Sequence, residues 1–191
     1  MSKLATRAII LGVLVGLLGI ASYAVAGGGG KKHAGAGSLT GYEENPDLST
    51  AGTGTFEVRI GPGDKTIAYK LSYSGLDGDV QHAHIHFGKR AINGRVSVFL
   101  CSNLPDPPAG TPACPASGTV EGVLDAADVL GPNGPPAMQG IEPGAIGELI
   151  AAIRAGSTYV NVHSSKWPSG EIRAQIRGDH KRDGNGKKSH G

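Results

Sequence analysis

The chain has 191 residues, 32 of them Gly and 12 Pro, about 23% together against a usual share of about 12%. Aromatics are 5% and charged residues 18%, which excludes long charged helices and coiled coils and leaves a turn-rich globular domain. The formal charge of +2 comes from the N-terminal segment: residues 38–178 carry 10 basic and 14 acidic groups, a net of −4, so no basic patch for nucleic acid is expected.

Residues 1–26 read as a secretory signal peptide. Lys3 and Arg7 form the positive start, Ala8 to Ile20 is apolar, and Ala24-Val25-Ala26 is a small-x-small site with cleavage after Ala26. The competing reading is an uncleaved anchor, because the apolar stretch is near the lower limit for spanning a bilayer. After cleavage no membrane contact is expected, and the protein is secreted or periplasmic. Residues 27–37, rich in Gly with Lys31, Lys32 and His33, read as a flexible linker.

Residues 38–178 then form one domain, large enough for a core of its own. Period-2 alternation with β-branched residues marks its strands. Phe56, Val58 and Ile60 alternate with polar neighbours, as do Ile67, Tyr69, Leu71 and Tyr73. Val96, Val98 and Leu100 repeat the pattern, and so do Ile172, Ala174 and Ile176. With Leu39 to Glu43, Val80 to Phe87, Gly118 to Val123 and Ser157 to Ser164 there are about eight strands. They predict an all-β fold, an antiparallel Greek-key-like β-sandwich or partly open barrel. Two helical pieces interrupt it, a turn over Asp125 to Leu130 and a helix over Ala145 to Ala155 with Gly156 as its stop. Nine of the twelve prolines lie between Leu104 and Gly144, so loops dominate there.

Cys101 and Cys114 bracket a Pro-rich segment, and in an exported protein they are expected to form a disulfide. Trp167 sits on a turn between two strands, either covering a core edge or serving as an exposed anchor. Residues 179–191 read as a disordered polar tail. Asp183-x-Asn185 begins like a calcium loop, but Lys187 stands where a ligand would be needed.

Outside the polar ends four His remain: His82, His84, His86 and His163. On a strand the first three share one face while Ala83, Ile85 and Phe87 enter the core. His163 follows Val160 and Val162 on the corresponding outward face. If these strands are neighbours, a three-imidazole site follows, and imidazoles without thiolate suit zinc or oxidised copper better than calcium or magnesium. The plainer reading is polar residues on a solvated face, one of them making a structural hydrogen bond.

The segments His84-Ile85-His86-Phe87-Gly88, Asn93-Gly94-Arg95-Val96, Tyr159-Val160-Asn161-Val162-His163 and Pro168-Ser169-Gly170-Glu171-Ile172-Arg173-Ala174-Gln175-Ile176 resemble the CHRD domain, named after its repeats in chordin. Leu39-Thr40-Gly41-Tyr42-Glu43-Glu44-Asn45-Pro46 is similar to its opening. The resemblance implies an extracellular β-sandwich-like domain; the cysteine-rich modules to which chordin's growth-factor contacts are attributed are absent from this sequence. The His-x-His with a distant Val-x-Val-His is also similar to copper/zinc superoxide dismutase, with His84 and His86 as a ligand pair and His163 as a later ligand. No His lies between Phe87 and Gly156, so that family's bimetallic site is missing. The resemblance leaves a mononuclear site at His84, His86 and His163, with His82 or Glu171 as an extra ligand and Asn161 or Glu171 as a polar neighbour of the ligands.

The expectation is an exported, non-enzymatic protein with a binding or structural role, holding one zinc or copper ion and meeting an extracellular protein or glycan. The alternatives are a copper-dependent oxidoreductase related to dismutases and a surface adhesion or matrix module.

Overall fold

The computed structural model describes residues 32–130 and 139–177. The expected signal peptide and polar tail lie outside them. Eight strands occur in chain order: β1 Lys32–Thr40, β2 Thr53–Ile60, β3 Ile67–Ser74, β4 Val80–Phe87, β5 Arg95–Ser102, β6 Gly118–Leu124, β7 Thr158–Ser164 and β8 Ile172–Gln175. One α-helix, α1, spans Ile146–Arg154, and a short 3-10 turn spans Ala126–Asp128, where the sequence places the two helical pieces.

The strands form one antiparallel sheet in the order β5-β4-β7-β8-β1-β2-β3-β6, so the expected all-β antiparallel fold is present. β1 and β8 join its two halves at Thr40 and Arg173, with a further bridge at Ala36 and Arg177. Side chains from both halves share one core, including Phe56, Val58 and Leu71 from β2 and β3 and Ile85, Val98, Val160 and Val162 from β4, β5 and β7. The hydroxyl of Tyr69 on β3 donates to the Leu100 carbonyl on β5 at 2.6 Å, tying the halves face to face across that core. Each fully buried aliphatic side chain contributes about 1.5–3 kcal/mol relative to exposure. The apolar residues of α1, Leu149, Ile150 and Ile153, complete the same core.

Two boundaries differ from expectation. β1 begins at Lys32, so residues 32–37, expected in the linker, are strand; their Gly and Ala content reflects close packing instead of flexibility. A Cβ on Gly35 would stand 2.6 Å from Ile176 Cγ2 and 2.9 Å from the Arg177 carbonyl oxygen, and one on Gly37 2.8 Å from the Ala174 Cβ. β1 also stops at Thr40, where Gly41–Glu43 turns as a 3-10 helix in place of the expected strand end. A third difference is that the outward side of β4, β7 and β8 is covered: His84, His86, His163, Asn161 and Arg173 are all buried.

Cys101 and Cys114 are bonded, with Cα atoms 5.0 Å apart and a sequence separation of 13. Asn103 secures the enclosed loop. Its Nδ2 donates to the carbonyls of Val80 and Cys114 at 2.9 and 3.0 Å, and its Oδ1 accepts from the Cys114 N–H at 3.0 Å.

Gly35→Val is expected to destabilise the domain by about 1–3 kcal/mol in urea denaturation through overpacking against β8; an unchanged midpoint would mean that residues 32–37 are not part of the sheet. The double variant Cys101→Ala/Cys114→Ala is expected to lose about 3 kcal/mol by removing the constraint on the unfolded chain. Equal midpoints of variant and oxidised parent would contradict a structural disulfide.

Candidate metal centre

β4 lies between β5 and β7. Against β7 its register sets His82 opposite His163, His84 opposite Asn161 and His86 opposite Tyr159. Opposed residues of an antiparallel pair project to the same face, so the strand period carries Ala83, Ile85, Val160 and Val162 into the core and lines the other face with His and polar groups. Ring centroids are 4.2 Å apart for His82 and His163, 4.4 Å for His82 and His84, and 5.1 Å for His84 and His163. One nitrogen from each of these three residues lies within 4.8 Å of the others. His84 and His163 are buried and His82 is half-buried.

Hydrogen bonds fix two of the tautomers. His163 Nδ1 lies 3.0 Å from the Pro168 carbonyl, and His86 Nδ1 lies 3.0 Å from the Gly94 carbonyl. A carbonyl only accepts, so each Nδ1 bears the proton and each Nε2 keeps a lone pair. Those Nε2 atoms are buried without a hydrogen-bond partner, as are Nδ1 of His82 and both nitrogens of His84. Each unpartnered buried polar group costs about 1–3 kcal/mol, and these five nitrogens could be satisfied by a metal ion.

Burial disfavours the charged imidazolium. It lowers His163 to about 3 and His86 to about 4, and takes His84 far below the ordinary imidazole range, with the neighbouring imidazoles adding to the depression for His84 and His163. His82 is lowered by burial as well. The rings therefore stand as neutral donors at physiological pH. Three neutral nitrogens suit zinc or copper, whereas calcium and magnesium require oxygen ligands. Ligation at 2.0–2.1 Å in a tetrahedron needs nitrogens about 3.3 Å apart. The 4.8 Å limit is thus within about 1.5 Å of ligating separation.

The structure distributes the expected site residues unevenly. His84 and His163 stand together with His82, which was expected only as an extra ligand. His86 lies next to this group, 5.4 Å from His84 and 6.2 Å from His163 between centroids, and outside the convergent three. Glu171 is fully buried and stands outside the convergent three; its Oε1 accepts from Thr50 Oγ1 at 2.7 Å and from the Asp77 N–H at 2.6 Å, and its Oε2 is buried without a partner. Asn161, opposite His84, donates from Nδ2 to Glu44 Oε1 at 2.5 Å. Trp167 is half-buried on the turn between β7 and β8 and donates from its indole to Asp77 Oδ2 at 3.2 Å.

Four neighbours were not anticipated. Phe99 on β5 meets His84 edge-on, centroids 4.2 Å apart. Tyr159 stacks on His86 at 4.6 Å with an interplanar angle of 7°. The Arg173 guanidinium lies 3.4 Å from the Tyr159 ring centroid. Burial pushes the Glu44 carboxyl up to about 7 against the opposing pull of Arg173 and Asn161. The alternation of β7 and β8 places Tyr159 and Arg173 on this face, but nothing in the sequence links Glu44 to Asn161, 117 positions away.

Compared with curated proteins and with solved structures, the chain finds no match. The family model of the CHRD domain matches residues 36–176. That span starts inside β1, ends just after β8, and takes in all four clustered histidines and the disulfide. This chain belongs to the CHRD domain family.

Proposed function

We propose that this domain is an extracytoplasmic metal-binding module with a binding or structural role, and that it holds one zinc or copper ion through His82, His84 and His163. The observation that carries the reading is the convergence of three neutral imidazoles, each with at least one buried nitrogen that has no hydrogen-bond partner. The Pro168 carbonyl supports it further, because a ligating His commonly donates its other N–H to such an acceptor. A bound dication gives these nitrogens a partner and ties β4 to β7. The signal-like segment 1–26 and the disulfide support a location outside the cytoplasm.

Protein prepared without a His tag, loaded with zinc or copper and dialysed, is expected to retain one ion per chain by elemental analysis, and His84→Ala less than about one tenth of that. At ligand concentrations about 100 times Kd the parent should gain about 2.7 kcal/mol of stability. Equal, near-zero retention by parent and variant overturns the proposal.

Proton competition gives a second measurement. Three ordinary imidazoles with pKa near 6.5 would lose about 50-fold in metal affinity between pH 7.5 and 6, because each becomes mostly protonated. Here burial lowers the folded-state values, so the neutral forms persist well below pH 6.5. His84 and His163 then contribute almost nothing to the loss over that interval. His82, also lowered by burial, contributes less than an ordinary imidazole, so the expected loss is less than about fourfold. A 50-fold loss would place the ion on exposed histidines instead. The same depression makes the unfolded chain bind more protons than the folded one, so the metal-free domain loses stability as pH falls below about 6.5.

A further inference from the structure

Only one of the three converging rings reaches solvent. His84 and His163 are buried, whereas His82 is half-buried. Of its two nitrogens Nδ1 is enclosed and unpartnered, and Nε2 is not among the enclosed atoms. A neutral imidazole keeps its proton where the N–H has a partner, and for His82 water provides one at Nε2. Nδ1 therefore turns a lone pair inward. His163 is the opposite tautomer, with Nδ1–H on the Pro168 carbonyl and Nε2 enclosed.

Two shortages follow once an ion is bound. The first is of ligands: among the described residues no other His, Cys, Asp or Glu joins the three, and a tetrahedral zinc ion then keeps one position for a donor from solution. The second is of charge. Three neutral imidazoles leave a buried dication its full double charge, and a buried charge is costly without an opposite one. Glu171 and Glu44 stand outside the three, and their Oε1 atoms accept from Thr50, Asp77 and Asn161. His86 is outside as well, stacked on Tyr159 and bonded through Nδ1 to Gly94. An anion meets both shortages. It must be small, because even Nδ1 of His82, on the open side, is closed to solvent.

We propose that the metal centre is an anion-binding site: the fourth position of the ion, on the side where His82 meets solvent, takes a small monovalent anion, and His82 binds the ion through Nδ1 with its Nε2–H in water. This rests on the metal-binding reading above and gives that centre a ligand class.

Zinc affinity is measured by chelator competition in chloride-free buffer, with sodium azide or, at equal ionic strength, with poorly ligating perchlorate. Over a rising azide series it is expected to climb at least about tenfold, as one bound anion per ion requires once azide exceeds its own Kd about ten times. With perchlorate it should stay within about twofold. The copper(II) form should gain an azide-to-copper charge-transfer band that dialysis removes. A site closed by a fourth protein donor, such as His86 Nε2 or Glu171 Oε2, shows no gain in affinity with azide, and that result overturns the proposal. Nitrogen-15 NMR of the imidazoles needs no ion: the metal-free protein should show His82 protonated on Nε2 and His163 on Nδ1. His82 protonated on Nδ1 also overturns it. A parent that retains neither zinc nor copper refutes the metal-binding reading itself, whereas one that retains an ion indifferent to azide overturns this inference alone.

Discussion

The antiparallel pairing of Val80–Phe87 with Thr158–Ser164 is the constraint on which the rest depends. It opposes His82 to His163 and His84 to Asn161 while turning Ala83, Ile85, Val160 and Val162 to the opposite side. A slip of one residue would exchange the two faces, exposing the aliphatic row and driving the imidazoles into the apolar core. Core burial and site geometry are therefore two faces of one register. The aliphatic residues that stabilise the sheet also specify where the imidazoles stand.

Burial on the outward face turns these polar residues into a second, polar interior. The strand from 158 to 164 is buried along its whole length. Loops contribute the cover: Gly94 and Pro168 supply carbonyls to His86 and His163, Glu44 reaches Asn161, and Arg173 donates to the carbonyls of Lys89 and Ile92 at 3.2 and 2.9 Å. Desolvation keeps the imidazoles neutral, and neutral imidazole is the form that ligates a metal. The same loops leave five ring nitrogens of the cluster without partners, and Thr158 Oγ1, Glu171 Oε2 and Gln175 Oε1 on the neighbouring strands and turn are buried unpartnered as well.

Much of this was legible in the sequence because period-2 alternation reports directly on faces. Ile67, Tyr69, Leu71 and Tyr73 are all buried as that pattern requires, and the triplet at 82, 84 and 86 shares a face with His163. Composition misled at residues 32–37, where Gly and Ala suggested a linker and instead allow β1 to lie against Ile176 and Ala174. The division of labour among the histidines was not legible either. His86 differs from His82 through a hydrogen bond to Gly94 and a stack on Tyr159, contacts that depend on side-chain torsions and on a loop closing over the sheet. Alternation says which way a residue points; it does not say whether a distant segment such as Glu44-Asn45 will cover it.

The central claim is that three imidazoles, from His82, His84 and His163, converge on one ion. Anomalous X-ray scattering at the zinc or copper edge, from crystals of protein loaded with one equivalent of metal, tests it most directly. The account predicts a single peak about 2.0–2.1 Å from one nitrogen of each of these residues, with His86 beyond ligating distance. A principal peak at any other residues, or none at this cluster, would contradict it.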